Sequence, residues 1–301
     1  MNNARRAMLY MLGFAVMWAL VEALAGSVLQ RYSPYQVVWT RYTVHLLLML
    51  ALWGLRDPGR LWRTSRPGYQ LSRSLLMLGM PASWIVATGH GEPAGTIMTI
   101  FWLSPLAIML LAWWLLQERP PAWLWLSAAA AFAGSILTHD FELPLSGGDL
   151  LLPAAMGLCF SLYVVMTRSL RSENVLANLF YTALGVFVSL TPAMGWLWLW
   201  PTPGDALLMV AVGVFGFVAL WLLDRAAATA PLYFSAPFNF VQIVLFTAMA
   251  VLGSLVPLHS PRRAAAGLAL IAVVSIFIWM RAGHVDEDAI AHATRPVTKE
   301  S

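Results

Sequence analysis

The chain has 301 residues, 60% of them hydrophobic and 11% charged, with a net charge of +4. A soluble domain carries roughly 25% charged residues, so composition excludes one and leaves a polytopic membrane protein. The basic residues are scattered between apolar stretches, which excludes a nucleic-acid-binding surface. The one cysteine, Cys159, excludes an intrachain disulfide and reads as a small core residue.

Taken in order, the chain opens with Arg5-Arg6, an apolar run and Ala23-Leu24-Ala25, which imitates a secretory signal and its cleavage site. The run from Met8 to Leu29 is long enough to span a bilayer, and Glu22 stands where the last apolar turn of a signal belongs, so an uncleaved first helix is expected. Apolar runs of about 20 residues mark membrane-spanning helices. They predict ten, at 8–29, 34–55, 70–89, 93–117, 121–138, 148–170, 175–199, 205–224, 231–255 and 261–282.

The first two meet at a short turn, Tyr32-Ser33-Pro34, which predicts antiparallel neighbours. Glu22 and Arg41 each lie about seven residues from that turn, roughly 10 Å at 1.5 Å per residue, so they sit at matched depth and within reach of one another. A charge at that depth costs about 2.5–3.5 kcal/mol on insertion scales and therefore faces a cavity or a partner. Trp18 and His45 lie one turn away on the same faces.

The longest connection, Arg56 to Tyr69, holds Arg56, Arg60, Arg63 and Arg66, with Arg73 just beyond. If the N-terminus is inside, the same side collects Arg5, Arg6, this group, Arg119, Arg168, Arg171, Arg225 and Arg281. The other side keeps Arg31, Arg262 and Arg263 with the acids Glu92, Asp140, Glu142, Asp149 and Asp205. Basic loops stay cytoplasmic, so both termini are expected in the cytoplasm, in an inner (plasma) membrane. A polar tail, 283–301, is expected to be disordered.

Two halves of five helices, 1–140 and 145–282, require the second to be inverted because the number is odd. Ser104-Pro105 in the fourth helix and Ala236-Pro237 in the ninth are matching proline breaks, a pointer to a binding site in inverted-repeat carriers. Ala128 to Ala131 with Gly134 in the fifth helix, and Ala264 to Gly267 in the tenth, are small-residue faces suited to close packing.

The segment Phe101-Trp102-Leu103-Ser104-Pro105-Leu106, with an apolar run ending in Gln117-Glu118-Arg119, resembles the fourth-helix signature of the drug/metabolite transporter superfamily, EamA-like branch. Ala236-Pro237-Phe238-Asn239-Phe240-Val241-Gln242 is similar to the family's matching ninth-helix segment, and Arg41 falls where many relatives carry an arginine. The chain departs from the pattern at Gly253 to Pro257, which has no acid echoing Glu118, and near the end of the first helix, where it has no lysine. The resemblance implies an all-α fold of two inverted five-helix repeats, with a central cavity lined by helices 1, 3, 4, 6, 8 and 9 and with helices 5 and 10 at the periphery.

It also implies a secondary transporter of small organic metabolites; an amino-acid-like or otherwise amphipathic compound is expected, with an uptake carrier for an S-adenosylmethionine- or nucleoside-type metabolite as the alternative. The expected partners are a small-molecule substrate, the bilayer and protons, in a monomer or homodimer without cofactor or metal. The substrate-binding set is Trp18, Glu22, Arg41, His45, Trp102, Asn239 and Gln242. Glu22 with Arg41 reads either as a substrate-responsive pair or as a structural clamp between helices, since breaking a buried pair costs about 3–5 kcal/mol. His45 reads either as a group titrating near neutral pH or as a hydrogen-bonded structural residue.

Trp102, beside Pro105, reads as a cavity wall, with Trp18, Trp84 and Trp221 as further aromatic surface. Asn239 and Gln242 read as substrate contacts or interhelical hydrogen bonds. Tyr163, Thr167, Asn178 and Tyr181 are weaker polar candidates, and Glu118-Arg119 and Asp224-Arg225 read as gating or structural charges. No catalytic motif or nucleotide-binding loop is present in the sequence, which argues against a membrane-embedded enzyme and an in-chain ATPase. A non-transporting scaffold needs neither mid-span charges nor paired proline breaks.

Overall fold

The computed structural model describes residues 1–54, 57, 59–138, 150–252 and 260–283. The expectations for Arg56, Asp140, Glu142 and Asp149, for Gly253 to Pro257 and for the tail beyond 283 lie outside the described residues.

Among the described residues every regular element is helical: α1 (Asn3–Leu29), α2 (Pro34–Met49), a π-helical turn (Leu50–Gly54), α3 (Gly59–Trp62), α4 (Pro67–Gly89), α5 (Ala94–Phe101), α6 (Ser104–Leu116), α7 (Ala122–Thr138), α8 (Leu151–Ser169), α9 (Val175–Leu197), α10 (Pro203–Thr229), α11 (Leu232–Ser235), a 3₁₀ turn (Ala236–Phe240), α12 (Val241–Leu252) and α13 (Pro261–Ala282). Hydrocarbon offers no hydrogen bonds, so a spanning chain must satisfy its backbone within itself, as a helix does. Starts are marked by proline, whose missing N–H has no helical partner in the first turn anyway: Pro34, Pro67, Pro203 and Pro261 begin their helices. Asn2, Asn174 and Thr202 cap α1, α9 and α10 by accepting the backbone N–H of Arg5, Leu176 and Asp205.

Among the described residues, eight helical stretches are long and apolar enough to cross a membrane. The expected helices at 70–89 and 121–138 are present as α4 and α7 but fall short of that measure. Gln70, Ser72, Arg73 and Ser74 make α4 too polar, and α7 has 17 residues. The two proline segments are broken where expected. The fourth span turns at Trp102-Leu103 between α5 and α6, and the later one runs through the 3₁₀ turn at Ala236–Phe240. The chain is thus a multi-pass membrane protein.

The packing departs from sequence order at the start. α1 and α2 barely touch, and α10 packs along α1 and against α2 instead. Glycines make this possible: a methyl group on Gly213 would lie 2.5 Å from Val44 Cβ, and one on Gly216 would lie 3.0 Å from Arg41 Cδ. α7 and α13 pair in the same way, a methyl on Gly267 falling 2.4 Å from the Gly134 carbonyl oxygen. The start of α1 and the end of α13 lie at one end of the bundle, where the Asn2 side chain donates to the Ala282 carbonyl at 2.6 Å and Arg5 Nε to that of Trp279 at 3.2 Å.

Candidate functional site

A cavity of about 380 Å³ opens in the half of the bundle away from the start of α1 and the end of α13, beside the α1–α2 turn. Pockets of 300–1,000 Å³ suit small organic ligands. Its wall is apolar and soft. Met77, Met80 and Trp84 come from α4, Met98 and Phe101 from α5, and Met156 from α8. Thioethers are polarizable and adaptable, and pack well against aromatic faces.

Two full charges and one amide interrupt that wall. Glu22 on α1 keeps an exposed surface because it faces the cavity, and Trp18 lies against it one turn earlier. Arg41 on α2 is half-buried, its stem resting on Gly216 of α10. Its guanidinium carbon sits 5.2 Å from the Trp18 ring centroid and 4.7 Å from that of Tyr42, and Nη2 donates to the Tyr42 hydroxyl at 3.0 Å. Gln242, at the start of α12, supplies the amide.

Glu22 and Arg41 therefore share the cavity without an ion pair between them. The guanidinium lies over the rings of Trp18 and Tyr42 instead, an interaction of about 0.5–1 kcal/mol where exposed and more where desolvated.

Of the seven residues singled out in the sequence, Trp18, Glu22, Arg41 and Gln242 line the cavity. The other three lie behind it. His45 is buried between Tyr42, stacked at 6.1 Å, and Phe217, edge-on at 4.8 Å. Trp102 is fully buried at the α5–α6 break, against Phe101 at 5.4 Å and Phe240 at 6.2 Å. Asn239 is buried within the 3₁₀ turn. Among the described residues, His45 Nε2, Trp102 Nε1 and Asn239 Oδ1 have no hydrogen-bond partner. Trp84 joins the wall as expected, whereas Trp221 packs edge-on with Tyr10 at the other end. The methionines carry no pattern in sequence that separates them from core residues.

Beyond the α1–α2 turn the same end of the bundle is tied by polar groups. Arg31 pairs with Asp205, which also accepts from the hydroxyls of Tyr32 and Thr202, both at 2.9 Å. Gln36 donates to the Leu199 carbonyl at 2.6 Å and accepts from its N–H at 3.0 Å.

The opposite half is closed by desolvated polar groups. Glu118 Oε1 accepts from Arg168 Nε at 2.8 Å with side chains 1% and 4% exposed, and Oε2 accepts the Leu232 N–H at 2.7 Å. Arg168 Nη1 caps the end of α10 through the carbonyl of Ala227 at 2.8 Å. Nearby, Arg73 is wholly buried among Gln70, Thr167, Asn178 and Thr182, with its guanidinium 4.9 Å from the Tyr163 ring. Glu118 thus pairs with Arg168 rather than serving with Arg119, and Asp224 bonds Asn178 while Arg225 lies over Trp221. Tyr181 donates to the Trp62 carbonyl at 3.1 Å, away from the cavity. Among the described residues no cluster of three metal-ligating side chains occurs.

The arrangement can hold an amphipathic molecule bearing charge. Comparison with known proteins agrees in kind. A protein named S-adenosylmethionine uptake transporter from Rickettsia bellii (strain RML369-C) is 24% identical over 251 residues, covering 81% of this chain and 85% of that one. One of the same name from Rickettsia prowazekii (strain Madrid E) is 24% identical over 260 residues, 81% and 84%. A riboflavin transporter of Vibrio cholerae serotype O1 is 24% identical over 253 residues, 76% and 81%. A solved crystal structure superposes with a TM-score of 0.76 at 19% identity over 92% of this chain and 98% of that one, which shows a shared fold. The model of the EamA-like transporter family matches residues 5–139, bearing out the resemblance drawn from the fourth-helix signature. Over residues 5–139 the chain is thus similar to the EamA-like transporter family.

Proposed function

We propose that the protein is a secondary transporter that carries a small amphipathic metabolite across the inner membrane by alternating access. The observation that carries this reading is the pairing of a cavity beside the α1–α2 turn, holding Glu22 and Arg41 in an apolar wall, with the desolvated Glu118–Arg168 pair in the other half of the bundle. In this reading α4 and α7 are the third and fifth of ten crossings, α5–α6 and α11–α12 are single broken crossings, and the halves are inverted repeats. The arginine bias, with the start of α1 and the end of α13 at one end, supports cytoplasmic termini and an outward-facing cavity.

The proposed substrate class is an organic cation or zwitterion with an aromatic part. Glu22 takes the positive centre, Trp18 and Trp84 offer aromatic faces, Arg41 meets a carboxylate, and Gln242 fixes a polar edge. S-adenosylmethionine has those parts and is the name the first relatives carry, so it is the first compound to test. The purified protein is heated with S-adenosylmethionine, riboflavin or neither. A ligand at a hundred times its Kd stabilises the native state by about 2.7 kcal/mol. The expected result is a rise in melting temperature with S-adenosylmethionine that Glu22→Gln abolishes. A rise with riboflavin alone replaces the substrate, and an undiminished rise in Glu22→Gln removes the cavity from the reading.

A further inference from the structure

Asp224 stands apart from both the cavity and the Glu118–Arg168 pair. It is 2% exposed on α10, in the half of the bundle that carries the start of α1 and the end of α13. Oδ1 accepts one hydrogen bond, from Asn178 Nδ2 at 3.3 Å, and Oδ2 has no partner among the described residues. The amide that serves it is locked from behind: Asn178 Oδ1 accepts from Gln70 Nε2 at 2.6 Å, and Gln70 Oε1 accepts from Arg73 Nη2 at 3.1 Å. Arg73 bonds the Asn178 carbonyl at 2.6 Å and the hydroxyls of Thr167 and Thr182 at 2.7 and 2.9 Å. Acid and guanidinium thus belong to one buried network joining α4, α8, α9 and α10 without touching.

A structural ion pair closes on itself, and this one does not. A buried carboxylate served by one amide is poorly compensated, and its bare oxygen is an acceptor for the smallest cation. The charged groups acting on Asp224 are Arg73 of α4 and Arg225 of its own helix. α8 brings the Tyr163 hydroxyl, with Tyr42 of α2 behind it, and α9 brings the uncharged Asn178 and Thr182. α1 brings Tyr10, packed on Trp221, and α11 brings Tyr233, beside Glu118 and Arg168.

We propose that Asp224 is a proton-binding site that controls the closed end. A proton taken from the aqueous phase adds to Oδ2, no other bond being formed or broken. The charge that offsets Arg73 is lost, the Asn178 link weakens, and α10 loosens from α9. The link to transport rests on the reading above, but the proton site is tested without any substrate.

Hydrogen–deuterium exchange of the full chain in detergent, corrected for the intrinsic pH dependence of exchange, reads the closed end directly. A series of samples from about pH 8 to about pH 5 supplies both the two extremes and the midpoint of any response. In the native protein, acid is expected to speed exchange in the first turns of α9 and the last of α10 severalfold, with the cavity half of α4 unchanged. Asp224→Asn is expected to exchange fast at both extremes. Asp224→Glu is expected to keep the pH response with a displaced midpoint, and it decides the matter if the asparagine variant does not fold. A native protein without the response, an asparagine variant that retains it, or a glutamate variant with an undisplaced midpoint each overturns the proposal. Failure of S-adenosylmethionine to bind leaves these outcomes untouched.

Discussion

Glu118→Ala removes, in one change, both acceptors that the end of α6 offers to the second half of the chain. Arg168 loses its 2.8 Å partner and keeps only backbone carbonyls of α10, while the Leu232 N–H at the start of α11 loses its 2.7 Å bond. Both side chains of the pair are under 5% exposed, so water cannot replace the carboxylate without opening the bundle. Breaking one partner of a buried pair costs about 3–5 kcal/mol, much of it the burden of the charge left behind. At roughly 2–4 °C per kcal/mol for a chain of this order of size, the melting temperature in detergent should fall by on the order of 10 °C.

Arg168→Ala should fall by a similar amount, and the double variant by clearly less than the sum, because it leaves no orphaned charge; contacting residues couple by about 0.5–3 kcal/mol. Glu118→Gln should lie between, since its amide oxygen accepts from one of the two donors only. Thermal unfolding of the four variants measures all of this. Single losses below about 1 kcal/mol, or additivity within about 0.5 kcal/mol, would show that the two groups do not clamp the closed end.

Two further outcomes test separate parts of the structure. Gly267→Ala should destabilise by about 1–3 kcal/mol, as overpacking does, because its methyl group meets the Gly134 carbonyl oxygen of α7 and not a flexible side chain; the melting temperature reports it, and no change would mean that α7 and α13 are not in register there. In the loop after α8, the Ser65 hydroxyl and N–H hold Glu173 below the usual carboxylate range. A depressed carboxylate stabilises the fold above its unfolded pKa and loses that contribution as pH falls through its folded value. Ser65→Ala should therefore lower the melting temperature at neutral pH and not in acid, and an equal difference at both would assign the loss to something other than Glu173.

The order and placement of the helices were legible because spanning helices advertise themselves by unbroken apolar length, and their starts by proline. The two breaks were legible for a related reason. Proline removes a backbone donor, so Pro105 and Pro237 marked where α5–α6 and α11–α12 depart from regular helix. Partnership across the bundle was not legible. A three-residue turn argued that α1 and α2 pack on one another, yet Gly213 and Gly216, some 170 residues on, let α10 pack closely against α2 while it also lies along α1.

The same blindness applied to charge. Arg73 and Arg168 counted in sequence as basic residues near a membrane face, and the structure buries both, at 0% and 3% exposure. What distinguishes them from Arg60 or Arg63 is the hydroxyls and amides of Thr167, Thr182, Asn178 and Gln70, supplied by other helices. Cavity residues near a charge were found, since an intramembrane charge draws the eye to its helix face. Buried Trp102 and Asn239 were chosen for adjacency to the breaks, and adjacency along the chain did not carry them to the surface of the cavity.

The two ends of the molecule differ in what holds them. At the end beyond the α1–α2 turn the Arg31–Asp205 pair has an arginine side chain 51% exposed, and exposed pairs contribute about 0–1 kcal/mol. At the other end Glu118, Arg168 and Arg73 are desolvated, and their main polar contacts cross between helices. These ends are not independent. From Leu232, whose N–H is held by Glu118, the chain runs through nine consecutive buried residues to Val241, and Gln242, the next, lines the cavity. Midway, Phe240 packs on Trp102 at the break of the fourth span, and Trp102 adjoins cavity-lining Phe101. A close-packed segment of this kind transmits displacement rather than absorbing it. Filling the cavity against Gln242 and Phe101 therefore bears on the 3₁₀ turn and through it on the N–H that Glu118 accepts. The closed end carries a clamp that is strong when intact and unstable when half broken, which is the property a bistable seal requires.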